Sequence, residues 1–151
     1  MGPMVIGWRE WLALPQLHID RIKAKIDTGA RTSSLHAYFI EPYTENGQQM
    51  VRFGVHPRQQ RQTPDIICQA PVRDYRQVSD SGGHREMRYV ITTEVLLGQQ
   101  RRTIELTLSN RERMTFRMLL GRTALRGMLV LPDQSYCLKQ GSKTAYSHIL
   151  K

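Results

Sequence analysis

The residues best suited to chemistry stand together early in the chain, as Asp27-Thr28-Gly29. They end a run in which Ile22, Ala24 and Ile26 alternate with polar residues, the period of a half-buried strand. Three such residues can be no more than an Asx turn at a strand end. A carboxylate held close to a second carboxylate does more, because the pair shares one proton and activates a water. In that arrangement the glycine lets the backbone approach the carboxylate and offer its N–H. The threonine supplies a hydroxyl that can lock two such loops across the pair. The tripeptide occurs once, so the second Asp27 must come from a second copy of the chain.

The elements that would hold this turn are strands. Alternation marks "HIDRIKAKI" before it and "SLHAYFI" after it, with Leu35, Ala37 and Phe39 on one face. "QMVRFGVHP", "IICQAPVRDYRQV", "MRYVITTEVLL" and "RRTIELTL" follow as strands, separated by the polar loop Arg58 to Asp65 and the turns "SDSGG" and "GQQ". Met114 to Leu120 begins as strand and gives way to a short helix near Thr123–Arg126; "GMLVLPD" and "SYCLK" close the chain as short strands. Many short strands punctuated by turns predict an all-β closed sheet or barrel with one short helix. The expected division is an N-terminal extension over 1–6, one domain over 7–140 and a polar tail over 141–151.

A chain of 151 residues is one domain, long enough to bury a core. Twenty-two Lys and Arg against 13 Asp and Glu give a net charge of +9, which favours acidic partners. Cys68 and Cys137 make no disulfide framework and read as thiols of a reducing compartment. The N-terminus lacks the pattern of a signal peptide, and no apolar run is long enough to span a membrane, so the expected place is the cytoplasm and no membrane partner is expected.

Metal and nucleotide chemistry find little support in the spacing. His84-Arg85-Glu86 does not have the H-E-x-x-H pattern, and the five histidines are scattered, so neither a metal nor another cofactor is expected. "QGSKT" near the end has Ser142 where a P-loop requires its second glycine. His36 reads as a surface or hydrogen-bonded residue. Arg73, Arg76, Arg85 and Arg88 flank the hairpin Ser79–His84 and form either a solvated face or a cationic rim for an acidic peptide. Only Tyr75 and Tyr89 lie near them, which argues against nucleic acid as a partner.

Four segments, "GWREWLALP", "AKIDTGARTSSLHA", "SNRERMTFRMLLGRTAL" and "MLVLPDQSY", carry a resemblance to a known family. The chain resembles the bacterial retropepsin-like proteins, RimB-like and associated with the RimK glutamate-ligase system, that are also labelled ATP-dependent zinc proteases. The resemblance implies a homodimeric aspartic peptidase that acts on a peptide or protein, with acidic or poly-glutamate tails as substrate. It implies Asp27, Thr28 and Gly29 as the catalytic loop and Leu120, Gly121 and Arg122 as the segment packed beneath it. Ala30, Arg31, Gly82, Gly83, Arg85 and Arg88 become substrate contacts, with the glycines in a flap. Where viral relatives carry an acid, this chain has Arg31, so their internal Asp–Arg pair cannot form with Arg122. The alternatives are a non-catalytic module of the same fold that binds an acidic protein or RNA, and a zinc-dependent hydrolase.

Overall fold

The computed structural model describes residues 3–79, 82–110 and 115–138. In chain order the strands are β1 (Met4–Gly7), β2 (Arg9–Leu14), β3 (Ile19–Asp27), β4 (Ser33–His36), β5 (Phe39–Glu45) and β6 (Gln48–Val55). They continue as β7 (Ile66–Pro71), β8 (Asp74–Ser79), β9 (Arg85–Leu97), β10 (Gln100–Ser109), β11 (Met118–Gly121) and β12 (Met128–Leu131). The fold is all-β, as the punctuated alternation predicts. Two short 3-10 turns, Pro15–Leu17 and Arg122–Leu125, are the helical elements among the described residues.

The main sheet runs β10-β4-β11-β3-β2-β9-β8, and β10 also pairs with β9, so the succession of pairings returns on itself. The strands flanking the Asp27 turn do not pair with each other. Instead β11 lies between them, parallel to β3 and antiparallel to β4. Its register sets Leu120 against Ile26 and Gly121 against Asp27. Apolar alternation selects this arrangement. Ile22, Ala24 and Ile26 of β3, Leu35 of β4 and Met118 and Leu120 of β11 all enter one core, joined by Leu106 and Leu108 of β10. A three-stranded sheet, β5-β6-β7, adds Val51, Phe53, Val55 and Cys68 to the same core. Burial pushes the Cys68 thiol up to about 11.

Several sequence expectations change here. "SLHAYFI" is not one strand: the chain leaves the main sheet at Ala37, and Phe39 starts β5 in the other sheet. Leu35 and Ala37 are buried, whereas Phe39 is half-exposed and packs on the Tyr38 ring. Gly54 makes room for both rings, since a Cβ there would meet each at 2.5 Å. The short helix after Gly121 is a single 3-10 turn. "SYCLK" forms no strand over Ser135–Leu138, because Tyr136 takes a left-handed backbone (φ 58°). The amides of Cys137 and Leu138 instead donate to the buried Glu10 carboxylate at 2.7 and 3.1 Å, and Gly7 N–H donates to it at 2.6 Å. Met4–Ile6, set apart as an extension, belongs to β1, pairs with β12 and buries Ile6 completely. Met114, the "QGSKT" segment and the tail from Gly141 lie outside the described residues.

Candidate active site

The turn after β3 is fixed from three sides. Within it, Gly29 N–H donates to the Asp27 carboxylate at 3.0 Å, and Ala30 N–H donates to the Asp27 carbonyl at 3.2 Å. The Asx turn is therefore real, and it orients the carboxylate. From the 3-10 turn that follows β11, Arg122 N–H donates to the Ala30 carbonyl at 2.8 Å. Thr123 donates twice to the Arg31 carbonyl, through its N–H at 3.2 Å and its hydroxyl at 2.7 Å. From β4, the buried Ser33 hydroxyl accepts the Gly121 N–H at 3.0 Å.

Gly121 makes this close approach possible. A Cβ at that position would lie 2.7 Å from the Thr32 carbonyl carbon and 3.0 Å from the Ala30 oxygen. Both obstacles are backbone, which cannot swing aside. Leu120 is buried behind the turn, and the Arg122 guanidinium donates to the Gly29 carbonyl at 3.3 Å. Arg122 thus holds the loop through a carbonyl, in place of the acid this chain lacks.

Asp27, Gly29, Ala30, Arg31 and Arg88 line one cleft of about 650 Å³. Its opposite wall is β8, from Arg76 to Ser79. Thr28 is exposed on the same turn. Gly82, Gly83 and Arg85 are exposed at the far end of the β8–β9 hairpin and do not line the cleft. Asp80 and Ser81, at its tip, lie outside the described residues.

The arginines do not form the uniform rim that their spacing suggests. Arg88 is only 8% exposed and is paired with Glu86 at 2.5 Å. Glu86 also accepts from the Ser109 hydroxyl, and Arg88 reaches the Thr107 hydroxyl at 3.5 Å. Thr107 in turn donates to the Ser33 carbonyl, so a buried polar chain runs from β9 to the strand beneath the turn. Strand register explains it: Arg88 is an inward position of β9, beside buried Val90. Arg76 pairs with Asp74 at 3.2 Å and Glu105 at 2.7 Å, and the Glu105 hydrogen bond holds its proton more firmly than usual. Arg73 lies 4.0 Å from Glu105.

Sequence reasoning missed Ser33, Ser34, Thr107 and Leu119, which line or support the cleft. Two adjacent serines at the start of a fully buried strand, Ser33–His36, were the available signal. Of the two places expected for His36, the structure shows the hydrogen-bonded one: it is buried, and its ring meets Arg117 at 3.3 Å. Among the described residues no three His, Cys, Asp or Glu side chains gather as metal ligands, so their donor set does not fit a zinc ion. No helix of the described residues is long and apolar enough to cross a membrane.

Comparison with known proteins agrees with this geometry. In Shewanella halifaxensis (strain HAW-EB4), a probable alpha-L-glutamate ligase is 44% identical over 137 residues, which cover 90% of this chain and 30% of that protein. A protein of the same name from Desulfotalea psychrophila (strain LSv54 / DSM 12343) is 44% identical over 133 residues, or 88% of this chain and 29% of that protein. The chain thus spans less than a third of the length of these curated relatives. Among solved structures, the crystal structure of Lpg0085 from Legionella pneumophila subsp. pneumophila str. Philadelphia 1, a protein of unknown function (DUF785), matches with a TM-score of 0.71 and 29% identity. That match covers 90% of this chain and 98% of the other. The model of the RimB-like family, described as retropepsin-like aspartic endopeptidase RimB, matches residues 5–139, and the chain belongs to that family.

Proposed function

We propose that the chain is an aspartic endopeptidase that works as a twofold homodimer with a retropepsin-like closed sheet. The carrying observation is the Asp27 turn, pinned by the 3-10 turn Arg122–Leu125 and open on one side to the cleft. Twofold symmetry brings one Asp27 from each subunit to a shared axis, as an isologous interface requires. One carboxylate takes a proton from a water as its oxygen attacks the scissile carbonyl carbon. The other gives its proton to the carbonyl oxygen. Collapse of the tetrahedral intermediate returns a proton to the leaving amine. Thr28, exposed in the single chain, ties the two loops, and the β8–β9 hairpin with Gly82 and Gly83 closes over the substrate. No metal or nucleotide enters these steps.

Dimerisation has its own support. The small β1–β12 sheet exposes Val5, Leu129 and Leu131, an apolar face that a second copy would cover. Acidic peptides are the substrate class, on the strength of Arg31, which lines the cleft beside Asp27, while Arg76 and Arg88 bring cations already paired with Asp74, Glu105 and Glu86. The test is a cleavage assay on glutamate-rich and neutral peptides. Asp27→Asn keeps shape and removes the shared acid, so turnover should fall to background while circular dichroism and melting stay unchanged. Specific activity should also fall on dilution, together with the dimer fraction. Turnover retained by the Asn variant, or by a verified monomer, refutes the dyad.

One observation favours a second reading. Relatives named as probable glutamate ligases carry this segment as under a third of their length. In that reading the chain is a non-catalytic module that presents an acidic protein, and Asp27→Asn leaves every measured property intact.

A further inference from the structure

A second cavity, of about 760 Å³, lies on the face formed by β2 and β3. It is separate from the Asp27 cleft. Lys23 lines it, and Asp27 is four residues further along β3, about 13 Å at ordinary strand rise. Its lining includes Arg21, Lys23, Arg58, Arg61 and His18, against the carboxylate of Asp20.

These cations are held by structure on both sides of the groove. The Arg21 guanidinium sits over the Trp11 ring at 3.7 Å, and the Lys23 ammonium lies 5.0 Å from the same ring. Trp11 stacks in turn on Tyr136 at 6.1 Å, and Arg9 lies between Tyr136 and Trp8. Strand register makes the ladder, because Trp11 pairs with Lys23 and Arg9 with Lys25 on adjacent strands. Across the groove, Arg58 and Arg61 stand on one turn, closed by Arg61 N–H to the Arg58 carbonyl. Gln59 pins that turn to the Thr115 carbonyl at 2.6 Å, and Tyr38 and His56 hold its far end through Asp65.

We infer that this groove docks an acidic, extended segment of a protein partner. Side chains on one face of β3 repeat about every 6.7 Å, so successive cations meet alternate residues of an extended chain. Arginine forks match carboxylates. Pro57, Pro64 and Ile66 give the groove an apolar floor for the methylene stems of glutamates. Nucleic acid fits less well. A base needs an open aromatic face, and the Trp11 ring already carries Arg21 at 3.7 Å and stacks on Tyr136 at 6.1 Å. The groove needs no hydrolysis at Asp27, so it stands or falls separately from the proposed peptidase.

The experiment measures binding of a twelve-residue glutamate-rich peptide to the full chain carrying Asp27→Asn, which prevents turnover. Tryptophan emission reports the groove, because both tryptophans of the chain, Trp8 and Trp11, belong to the aromatic ladder beside it. The expected result is an emission change whose apparent affinity falls at least tenfold in Arg58→Glu/Arg61→Glu. Arg76→Gln, in the other cleft, should move it less than twofold. Both groove substitutions are at exposed positions, so melting should be unchanged. A single-stranded oligonucleotide of equal charge that binds more tightly, with the same sensitivity, overturns the assignment in favour of nucleic acid. Absence of binding, or equal affinity in all variants, overturns the groove altogether. Cleavage of peptides by the unsubstituted chain tests Asp27 and leaves this inference untouched.

Discussion

The two walls of the Asp27 cleft are built by different physics. The Asp27 wall is tied by backbone hydrogen bonds from the 3-10 turn after β11, by the buried Ser33 hydroxyl and by the absence of a side chain at Gly121. The β8 wall is an edge strand, tied to β9 by its backbone ladder on one side only and carrying exposed ion pairs, Arg76 with Asp74 and Glu105. Backbone hydrogen bonds backed by buried Gly121 and Ser33 fix position closely, even though the turn itself meets solvent. Surface ion pairs fix little, because solvent screens them and long side chains have other rotamers. A reactive carboxylate needs the first kind of wall, and a surface that must admit and release a chain needs the second.

Breaking the rigid wall should have the largest effect. In Gly121→Ala the new methyl meets backbone of Thr32 and Ala30 on contact, and neither can withdraw without moving the Asp27 turn. We expect loss of about 3 kcal/mol of stability, at the upper end of overpacking costs. Peptide hydrolysis should disappear even at temperatures where the variant remains folded. Chemical denaturation and a cleavage assay on the same preparation check both. A variant with native melting and native turnover would show that the wall is looser than its hydrogen bonds imply.

How far each wall could be read from the sequence follows the same division. The rigid one was legible: alternation in Ile22, Ala24 and Ile26, then Asp27-Thr28-Gly29, then Leu120-Gly121-Arg122 carry their own periodicity and spacing. Its polar support was not, since Ser33 and Thr107 matter through a pairing of β4 with β10 that joins residues 74 positions apart. The arginines were misread because sequence shows charge and not facing. Arg85 and Arg88 look equivalent, yet one is exposed and the other is buried against Glu86. Glu10 carries no signal in the local pattern, although its carboxylate collects three backbone amides from two ends of the chain. The basic groove of Arg21, Lys23 and Arg58 depends on a loop folding back across β3, which local pattern does not encode.

A smaller effect is expected from removing the side-chain support of the rigid wall. Ser33→Ala leaves the Gly121 N–H without its acceptor in a buried place, at a cost of about 1–3 kcal/mol. Hydrolysis should fall by less than in Gly121→Ala, because the bonds from Arg122 and Thr123 to the turn remain. Ser33→Thr keeps the hydroxyl and should recover stability if the added methyl is accommodated. Equal stability of Ser33→Ala and the parent would assign that N–H another partner.

The smallest effect on stability should come from the looser wall, and there the effect on substrate is the informative one. Arg76→Gln removes a charge whose partners, Asp74 and Glu105, are well exposed. Stability should change by no more than about 1 kcal/mol. Removing the cation also leaves Asp74 without its arginine and Glu105 with Arg73 alone, at 4.0 Å, so an acidic peptide should meet repulsion where it met a paired arginine. That contact acts on bound substrate and transition state alike. KM for a glutamate-rich peptide should therefore rise while kcat stays close to the parent value. A neutral peptide of equal length should respond little. Raising salt should narrow the gap between the two peptides, because exposed charges are largely screened beyond about 10 Å at 0.1 M. Measuring KM and kcat for both peptides across a salt series decides the matter. If the two respond alike, the β8 wall contributes no charge selection, and acidic specificity must reside in Arg31 on the Asp27 side of the cleft.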